Sequence, residues 1–157
     1  MGSQRSRRVG NQFERDTVNK LKSTGFFNHI GTTRFLSRAL DAAKVDICNN
    51  PVETDEKLPY FIQCKCYKGN IDYMKVLQEL PKVEGQLSVI FHKRTEKRGN
   101  RFFTVGNFAF LEEEDFIKMM VTIEKYKAAY ELMVEHFDSV DSEYQPELDK
   151  QLRELGL

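Results

Sequence analysis

The chain has 157 residues, which is enough for a single domain built around one hydrophobic core. Its formal net charge of zero would normally count against a nucleic-acid partner, and no apolar run is long enough to span a bilayer. We therefore expect a cytoplasmic protein with no membrane association. The three cysteines are an odd number, which favours reduced thiols over a disulfide framework.

The charge is unevenly distributed along the chain. Residues 1–44 contain nine basic and three acidic residues, a net charge of +6, whereas residues 131–157 contain two basic and eight acidic residues, a net charge of −6. A second basic cluster occupies residues 92–101. Backbone phosphates are the natural partner of both basic segments. For residues 92–101, a solvated charged loop is the alternative.

The first predicted helix covers residues 11–24 and ends at Gly25. At about 100° per residue, one inward-facing arc of this helix contains Phe13, Thr17, Val18 and Leu21. Glu14 lies in the middle of that arc. A carboxylate that faces the core is costly unless it is paired or bound to a metal. The alternative is a first-turn glutamate that the helix dipole favours.

Three strands are predicted next, over residues 29–35, 44–48 and 60–67. Strict alternation in the second strand would place Val45 and Ile47 on one face and Asp46 on the other.

The strand over residues 60–67 has two chemically different faces. One face contains the apolar or small side chains Ile62, Cys64 and Cys66, and the other presents Gln63 and Lys65. If the two strands are neighbours, a carboxylate, an amide carbonyl and an ammonium group converge, and these groups can hold Mg²⁺ against a phosphodiester. The alternative is a capped strand next to a strand whose lysine reaches solvent.

The remaining elements complete a mixed α/β order. A short helix over residues 71–80 ends near Pro81, and a buried strand covers residues 87–92. A strand over residues 102–105 pairs with it through the basic hairpin.

From Glu114 onward the pattern is helical, with apolar residues on two sides of the helix. The broad arc contains Phe116, Met119, Met120, Ile123, Tyr126, Tyr130, Met133, Val134 and Phe137; the narrow arc contains Ile117, Val121, Ala128 and Leu132. One side should dock on the sheet, and the other is available to a second subunit. Pro146 begins a short helix with Leu148, Leu152 and Leu155 on one side.

Several of these segments together resemble a known family. Residues 8–15, with their Gly-x-x-Phe-Glu-Arg pattern, residues 31–38 and the Val45-Asp46-Ile47 triplet resemble the Holliday junction resolvase branch of the PD-(D/E)XK nuclease superfamily. Asp46 corresponds to the aspartate of that motif, and Gln63-Cys64-Lys65 corresponds to (D/E)XK, 17 residues later. The resemblance covers roughly residues 5–110 and is nearest to the small resolvase-like nucleases of bacteriophages.

The resemblance implies both a fold and a function. It implies a restriction-endonuclease-like mixed β-sheet flanked by helices over residues 1–112. Residues 113–157 lie beyond the resemblance, and their own pattern predicts a helical acidic C-terminal extension packed on the core. The resemblance also implies a homodimeric, metal-dependent, structure-selective DNA endonuclease, foremost a Holliday junction resolvase acting on four-way junctions. The alternatives are a nuclease for flaps, nicks or single strands, and a catalytically inactive DNA-binding relative.

The resemblance also implies roles for individual residues. Glu14, Asp46, Gln63 and the backbone carbonyl of Cys64 would hold Mg²⁺ or Mn²⁺, while Lys65 would stabilise the transition state or position the water. Gln63 replaces the usual acidic residue, so the site has one negative charge fewer, should bind metal more weakly and should depend more on the substrate's phosphate. The expected phosphate contacts are Arg8, Arg34, Arg38, Lys68, Lys93 and Arg94.

Overall fold

The structure is a computed structural model that describes residues 4–69 and 71–140. The chain separates into two compact units, residues 1–112 and residues 113–157. The first unit contains strands β1 (Ile30–Thr32), β2 (Ile47–Asn49), β3 (Tyr60–Tyr67), β4 (Leu87–Arg98) and β5 (Arg101–Phe110). Its helices are α1 (Gln4–Lys22), α2 (Thr33–Leu36), α3 (Arg38–Ala42) and α4 (Tyr73–Glu79). The second unit contains α5 (Glu113–Val140), and the protein is therefore of the α/β class.

The five strands form one mixed sheet in the order β1-β2-β3-β4-β5. All neighbouring pairs are antiparallel except β3 and β4, which run parallel. A parallel pair needs a crossover connection, and α4 lies within that connection. Asp72 caps α4 by accepting a hydrogen bond from the backbone N–H of Lys75, so the predicted helix over residues 71–80 is confirmed with shorter bounds.

Hydrophobic side chains pack on both faces of the sheet. The face that we call the α1 face contains Val18, Ile30, Ile47, Leu58 and Ile62. The opposite face, the α4 face, contains Val45, Phe61, Leu77, Leu80 and Ile90. The neighbours Phe61 and Ile62 belong to different faces because successive side chains of a strand alternate. The predicted strand over residues 60–67 is confirmed residue for residue as β3.

Helix α1 is longer than the sequence pattern predicts. It already includes Gln4, so the basic residues before Asn11 are helical, and it ends at Lys22. Gly25 follows with a φ of 82°, a left-handed conformation that glycine adopts without strain. Glu14 thus lies ten residues beyond Gln4, too far along the helix for its N-terminal dipole to act on it. The first-turn alternative for Glu14 is therefore wrong.

The predicted strand over residues 29–35 is wrong beyond Thr32, because Thr33 begins α2. The Thr33 hydroxyl donates a 2.6 Å hydrogen bond to the carbonyl of Val45, and the Thr33 N–H donates a 3.0 Å bond to the carbonyl of Asp46. These two bonds fasten the turn out of β1 to the segment that leads into β2. Ser37 then caps α3 by accepting a bond from Leu40 N–H.

Strand β2 begins later than predicted, at Ile47 instead of Lys44. Lys44 has a φ of 67°, so the chain turns there and does not run extended into the strand. As a result Val45 packs on the α4 face and Ile47 on the α1 face, and the prediction that they share one face is wrong. Both side chains are nevertheless fully buried.

The β4–β5 hairpin is confirmed and is longer than predicted. Its register continues to the pair Arg98 and Arg101, which leaves a two-residue turn in which Gly99 has a φ of 58°. Most of the basic cluster over residues 92–101 therefore lies on paired strands and not in a loop, and phosphate contact by its charges stays a prediction. On such a ribbon, alternate side chains are displayed on fixed faces.

In the second unit, the helix predicted from Glu114 onward is confirmed as α5, over residues 113–140. Apolar side chains on several sides of α5, including Phe116, Ile117, Met120, Val121 and Ile123, are exposed in the single chain. The predicted short helix with Leu148, Leu152 and Leu155 lies outside the described residues. Packing of the extension on the core and contact with a second subunit stay predictions. The helices of the described part of the chain are each too short or too polar to span a lipid bilayer.

Candidate active site

Asp46 lies where strands β2 and β3 separate. Its backbone N–H still donates a 2.7 Å hydrogen bond to the carbonyl of Ile62, next to the strand pair Ile47 and Ile62. One step further, the backbone N–H of Cys64 donates to the Asp46 carboxylate oxygen Oδ2 at 2.6 Å. The carboxylate thus takes the place of a backbone carbonyl of β2 and is held at the break in the ladder.

Gln63 and Lys65 share the α4 face of β3 with Phe61, because side chains alternate along the strand. The antiparallel register of β2 and β3 ends at the pair Ile47 and Ile62, one residue before Gln63. Gln63 is 3% exposed, and its carbonyl oxygen Oε1 is the one buried side-chain nitrogen or oxygen without a hydrogen-bond partner in the described part of the chain. An unpartnered buried acceptor is costly, and a bound cation would satisfy it.

Glu14 approaches the sheet from α1, on the face opposite Gln63, and its charge acts on Asp46. Its predicted core-facing position is confirmed by an exposure of 8%. The Arg34 guanidinium lies beside it, with Nη2 3.3 Å from Oε1 and 3.5 Å from Oε2 of Glu14. Arg34 was predicted to contact phosphate, and in the structure it neutralises a carboxylate of the candidate site. A cation bound by Glu14 would therefore compete with this guanidinium.

The electrostatics of the site disfavour two ionised carboxylates without a cation. Burial raises the pKa of Asp46 to about 6, with a further upward contribution from the charge of Glu14, while the Cys64 N–H bond and the Lys65 charge oppose the rise. Burial also raises the pKa of Glu14, and the Arg34 charge opposes it. These interactions place Glu14 and Lys65 within electrostatic range of Asp46.

The donor set fits a hard cation that prefers oxygen ligands, with two carboxylates and one amide carbonyl available. Among residues 4–69 and 71–140, no group of three or more His, Cys, Asp and Glu side chains is arranged to hold a metal ion. Cys64 turns its N–H toward Asp46, and ligation by its carbonyl stays a prediction. Burial raises the pKa of the Cys64 thiol, which keeps the thiol protonated.

Comparison with known proteins gives no relative. No protein-family model, no curated protein and no solved structure matches the chain. The interpretation of the site therefore depends on its own geometry.

The predicted phosphate contacts do not form one patch. Arg8, Arg38, Lys68 and Arg94 are exposed, whereas Lys93 is half-buried with its ammonium group 5.7 Å from the centre of the Phe13 ring. Lys93 lies on the α1 face and its neighbour Arg94 on the α4 face, since successive residues of β4 alternate. The two residues therefore cannot contact the same phosphate from one side of the sheet.

The sequence pattern missed a buried histidine beside Lys65. The parallel register places His92 of β4 next to Lys65, and His92 is 1% exposed. Its Nδ1 lies 2.7 Å from the Tyr73 hydroxyl, and the Tyr73 ring stacks on Phe110 at 3.7 Å between ring centres. Burial lowers the pKa of His92, which favours the neutral imidazole. Only the strand register reveals this neighbour, and no local motif encodes that register.

The sequence pattern also missed Asp41 as a neighbour of the site. This exposed residue of α3 contributes a negative charge that raises the pKa of both Glu14 and Asp46. The acidic field at the break in the sheet therefore includes a third carboxylate, which is a further reason for a cation to be favoured there.

Proposed function

We propose that the chain is a metal-dependent DNA endonuclease of the PD-(D/E)XK type that cleaves branched DNA, foremost a four-way junction. One observation carries the proposal: at the break between β2 and β3 the Asp46 carboxylate is held by the backbone N–H of Cys64, the residue next to Gln63, whose buried carbonyl oxygen has no hydrogen-bond partner in the described part of the chain. Lys65 lies on the same face of β3, and its charge acts on Asp46. A carboxylate and a second oxygen ligand can hold a metal ion, and an ammonium group can offset the negative charge that develops during phosphodiester hydrolysis.

Glu14, Asp46 and Gln63, with the Cys64 carbonyl, would hold Mg²⁺ or Mn²⁺. The bound cation would polarise the scissile phosphate and lower the pKa of a coordinated water. The protein's own groups have separate tasks. Lys65 offsets negative charge that develops on the phosphate, and Arg34 can move from Glu14 to a phosphate oxygen once another cation neutralises that carboxylate.

The preference for branched DNA follows from symmetry. Each chain has one set of Glu14, Asp46, Gln63 and Lys65, so a single copy makes one incision per encounter. A homodimer with two-fold symmetry presents two such sets, which matches the symmetry of a four-way junction. The exposed apolar residues of α5, such as Ile117 and Val121, are available for that association.

The deciding experiment is a cleavage panel with the full chain. Labelled four-way junction, flap, nicked, single-stranded and linear duplex DNA are incubated with the protein and Mn²⁺, and matched reactions contain EDTA. We expect the junction to be cut fastest, by paired symmetric nicks, and no cleavage in EDTA. Absence of cleavage of every substrate at high protein concentration would refute the enzymatic proposal.

A catalytically inactive DNA-binding relative is the second candidate, and two observations favour it. The Arg34 guanidinium already pairs with Glu14, and the described residues contain no cluster of three or more potential acidic, histidine or cysteine ligands. Such a protein would bind junction DNA equally well in EDTA and in Mn²⁺. Titration calorimetry with Mn²⁺ alone distinguishes the two, because only the nuclease should bind the ion in a manner that depends on Asp46.

A further inference from the structure

One face of the β4–β5 hairpin, together with the adjoining end of β3, displays aromatic rings interleaved with arginines. We call it the aromatic–arginine stripe. It consists of Tyr67, Arg94, Arg98, Arg101, Phe103 and Phe108. Its arginines belong to the basic cluster over residues 92–101, but its three rings have no role in the candidate active site or in the predicted phosphate contacts. The stripe therefore needs an explanation of its own.

The strand register places the stripe on the α4 face, the face of Gln63 and Lys65. Lys65 pairs with His92, which in turn pairs with Phe108. One row further, Tyr67 pairs with Arg94. Directly opposite residues of neighbouring strands share a face, so the stripe begins beside the row that contains Lys65.

The register shift between Arg94 and Thr95 decides which residues of β5 join the stripe. Beyond the shift, Glu96 pairs with Phe103 and Arg98 pairs with Arg101. The Arg98 guanidinium lies over the Phe103 ring at 5.5 Å from its centre, and it also forms an ion pair with Glu96. These contacts confirm that Arg98, Phe103 and Glu96 project from the same face.

The rings of the stripe are open to solvent. Tyr67 is 53% exposed, and Phe103 and Phe108 are each 44% exposed. The Phe108 ring lies over Gly106, where an added Cβ would come within 2.9 Å of it. Large rings that stay exposed on one sheet face indicate a surface that another molecule covers.

The opposite face of the same hairpin has a different composition. Its β5 residues are Phe102, Thr104, Asn107 and Ala109, and its basic residues are the lysines Lys93 and Lys97. Phe102 is 50% exposed, close to the value for Phe103, but no arginine accompanies it on that face. The guanidinium groups of the hairpin are thus confined to one face, and only there do they accompany exposed rings.

We propose that the aromatic–arginine stripe binds single-stranded DNA and leads it to the candidate active site. Exposed rings stack on unpaired bases whatever the sequence, and guanidinium groups pair with phosphates in a fixed geometry. From the row of Lys65 and His92 to Arg98 the stripe spans six residues of β4, or about 20 Å. That length accommodates several nucleotides.

The charge of the stripe identifies nucleic acid as its occupant. The stripe has three arginines, Arg94, Arg98 and Arg101. One acidic residue of the hairpin, Glu96, shares their face, and it already pairs with Arg98. A second copy of the same face, related by a two-fold axis, would bring arginine against arginine at a cost. The inference rests on the proposed endonuclease function and deepens it, because it names a substrate with an unpaired strand beside the scissile phosphate.

Binding is measured on the full chain in EDTA, where cleavage cannot occur. The probes are fluorescein-labelled 15-nucleotide oligothymidine, the matching oligouridine RNA and a 15-base-pair DNA duplex, followed by fluorescence anisotropy. Loss of one stacking ring should weaken single-strand binding between about fivefold and about a hundredfold. We expect that loss for Phe103→Ala, and a change of less than about twofold for the control Phe102→Ala.

A second pair of variants reports stacking directly. The chain contains no tryptophan, so Phe103→Trp and Phe102→Trp each introduce a single fluorophore. Oligothymidine should quench the tryptophan of the Phe103→Trp variant strongly and that of the Phe102→Trp variant weakly. This measurement stays informative if either alanine variant folds poorly.

The outcomes separate the alternatives. Equal effects of the two alanine variants, or equal quenching of the two tryptophans, would overturn the inference. Tighter binding of the duplex than of oligothymidine would also overturn it. The same holds if the Phe103→Ala variant binds oligothymidine as the parent does but sediments differently, because the ring would then contact another copy of the chain. Tighter binding of oligouridine than of oligothymidine would assign the stripe to RNA. If the protein binds oligothymidine selectively in EDTA but cleaves no DNA in Mn²⁺, the proposed role of the stripe stands and the nuclease proposal is refuted. If it cleaves DNA in Mn²⁺ without selective binding of oligothymidine, the nuclease proposal stands and the role of the stripe is refuted.

Discussion

Replacement of Asp46 by asparagine should stabilise the metal-free protein at neutral pH, although it removes a proposed metal ligand. Burial is the main cause that raises the pKa of Asp46 from 3.8 to about 6. A rise of about two pKa units corresponds to about 3 kcal/mol of unfavourable free energy for the ionised carboxylate in the folded state. The asparagine carbonyl can still accept the bond from Cys64 N–H, but its amide NH2 group must be accommodated in the same partly buried position, at a cost of about 1 kcal/mol. The expected net gain is about 2 kcal/mol.

The gain should depend on pH in one direction. Because the folded state raises this pKa, the folded protein binds the proton more tightly than the unfolded chain does. The penalty for Asp46 is therefore fully present above about pH 6, and it declines as the pH falls from about 6 toward 3.8. At pH 4.5 about 1 kcal/mol of the penalty should remain. The Asp46→Asn variant and the parent should then have nearly equal stability.

Thermal unfolding followed by circular dichroism measures the effect. For a chain of this size, 2 kcal/mol corresponds to a rise in Tm of about 4–8 °C, expected at pH 7.5 in EDTA. Asp55→Asn is the matched control, since Asp55 is an exposed loop carboxylate, and it should leave Tm unchanged. Addition of Mn²⁺ should raise the Tm of the parent and leave that of Asp46→Asn nearly constant, because only the parent keeps the full ligand set.

Two results would contradict the argument. If Asp46→Asn is less stable than the parent at pH 7.5 in EDTA, the carboxylate stabilises the metal-free fold and the burial argument is wrong. If Mn²⁺ stabilises both proteins equally, the ion binds elsewhere and Asp46 is not a ligand.

The remaining predictions concern catalysis and assembly. Lys65→Ala should reduce the cleavage rate by at least about a hundredfold with an unchanged circular dichroism spectrum. Lys57→Ala, an exposed loop control, should cut normally, and a parent rate for Lys65→Ala would remove that residue from the site. Gln63→Glu should keep activity and lower the Mg²⁺ concentration for half-maximal rate; an inactive Gln63→Glu beside an active Gln63→Ala would give the residue a structural role instead. Charged substitutions at Val121 or Leu152 should weaken a homodimer, and light scattering that gives a monomer mass for the parent at high concentration would refute that dimer.

Local periodicity was enough to predict the elements that carry Glu14, Gln63 and Lys65, three of the four residues of the candidate site. The alternation of β3 is strict, so the shared face of Gln63 and Lys65 follows from the sequence alone. The arc of α1 likewise predicts the burial of Glu14, since a core-facing position recurs every three or four residues. These features need only neighbours along the chain.

The position of Asp46 depends on long-range contacts that no local pattern contains. Thr33 holds the preceding segment through Val45, and the turn at Lys44 delays the start of β2. The carboxylate therefore does not sit within a strand, and it occupies the place of a missing ladder bond to Cys64. For the same reason the sequence could not show His92 beside Lys65, because that neighbour depends on the parallel register of β3 and β4.

Because of the charge balance of the proposed site, binding of the metal ion and binding of the DNA should depend on each other. Once Glu14, Asp46 and the nearby Asp41 are ionised, their three negative charges exceed the two positive charges of Arg34 and Lys65 by one, and the neutral Gln63 adds none. A divalent cation bound to the protein alone would therefore leave an excess of positive charge. A phosphodiester lowers that excess, so DNA and cation should each increase the affinity for the other by the same factor. An acidic residue at the position of Gln63 would weaken this mutual dependence, because the protein alone would then neutralise more of the cation's charge.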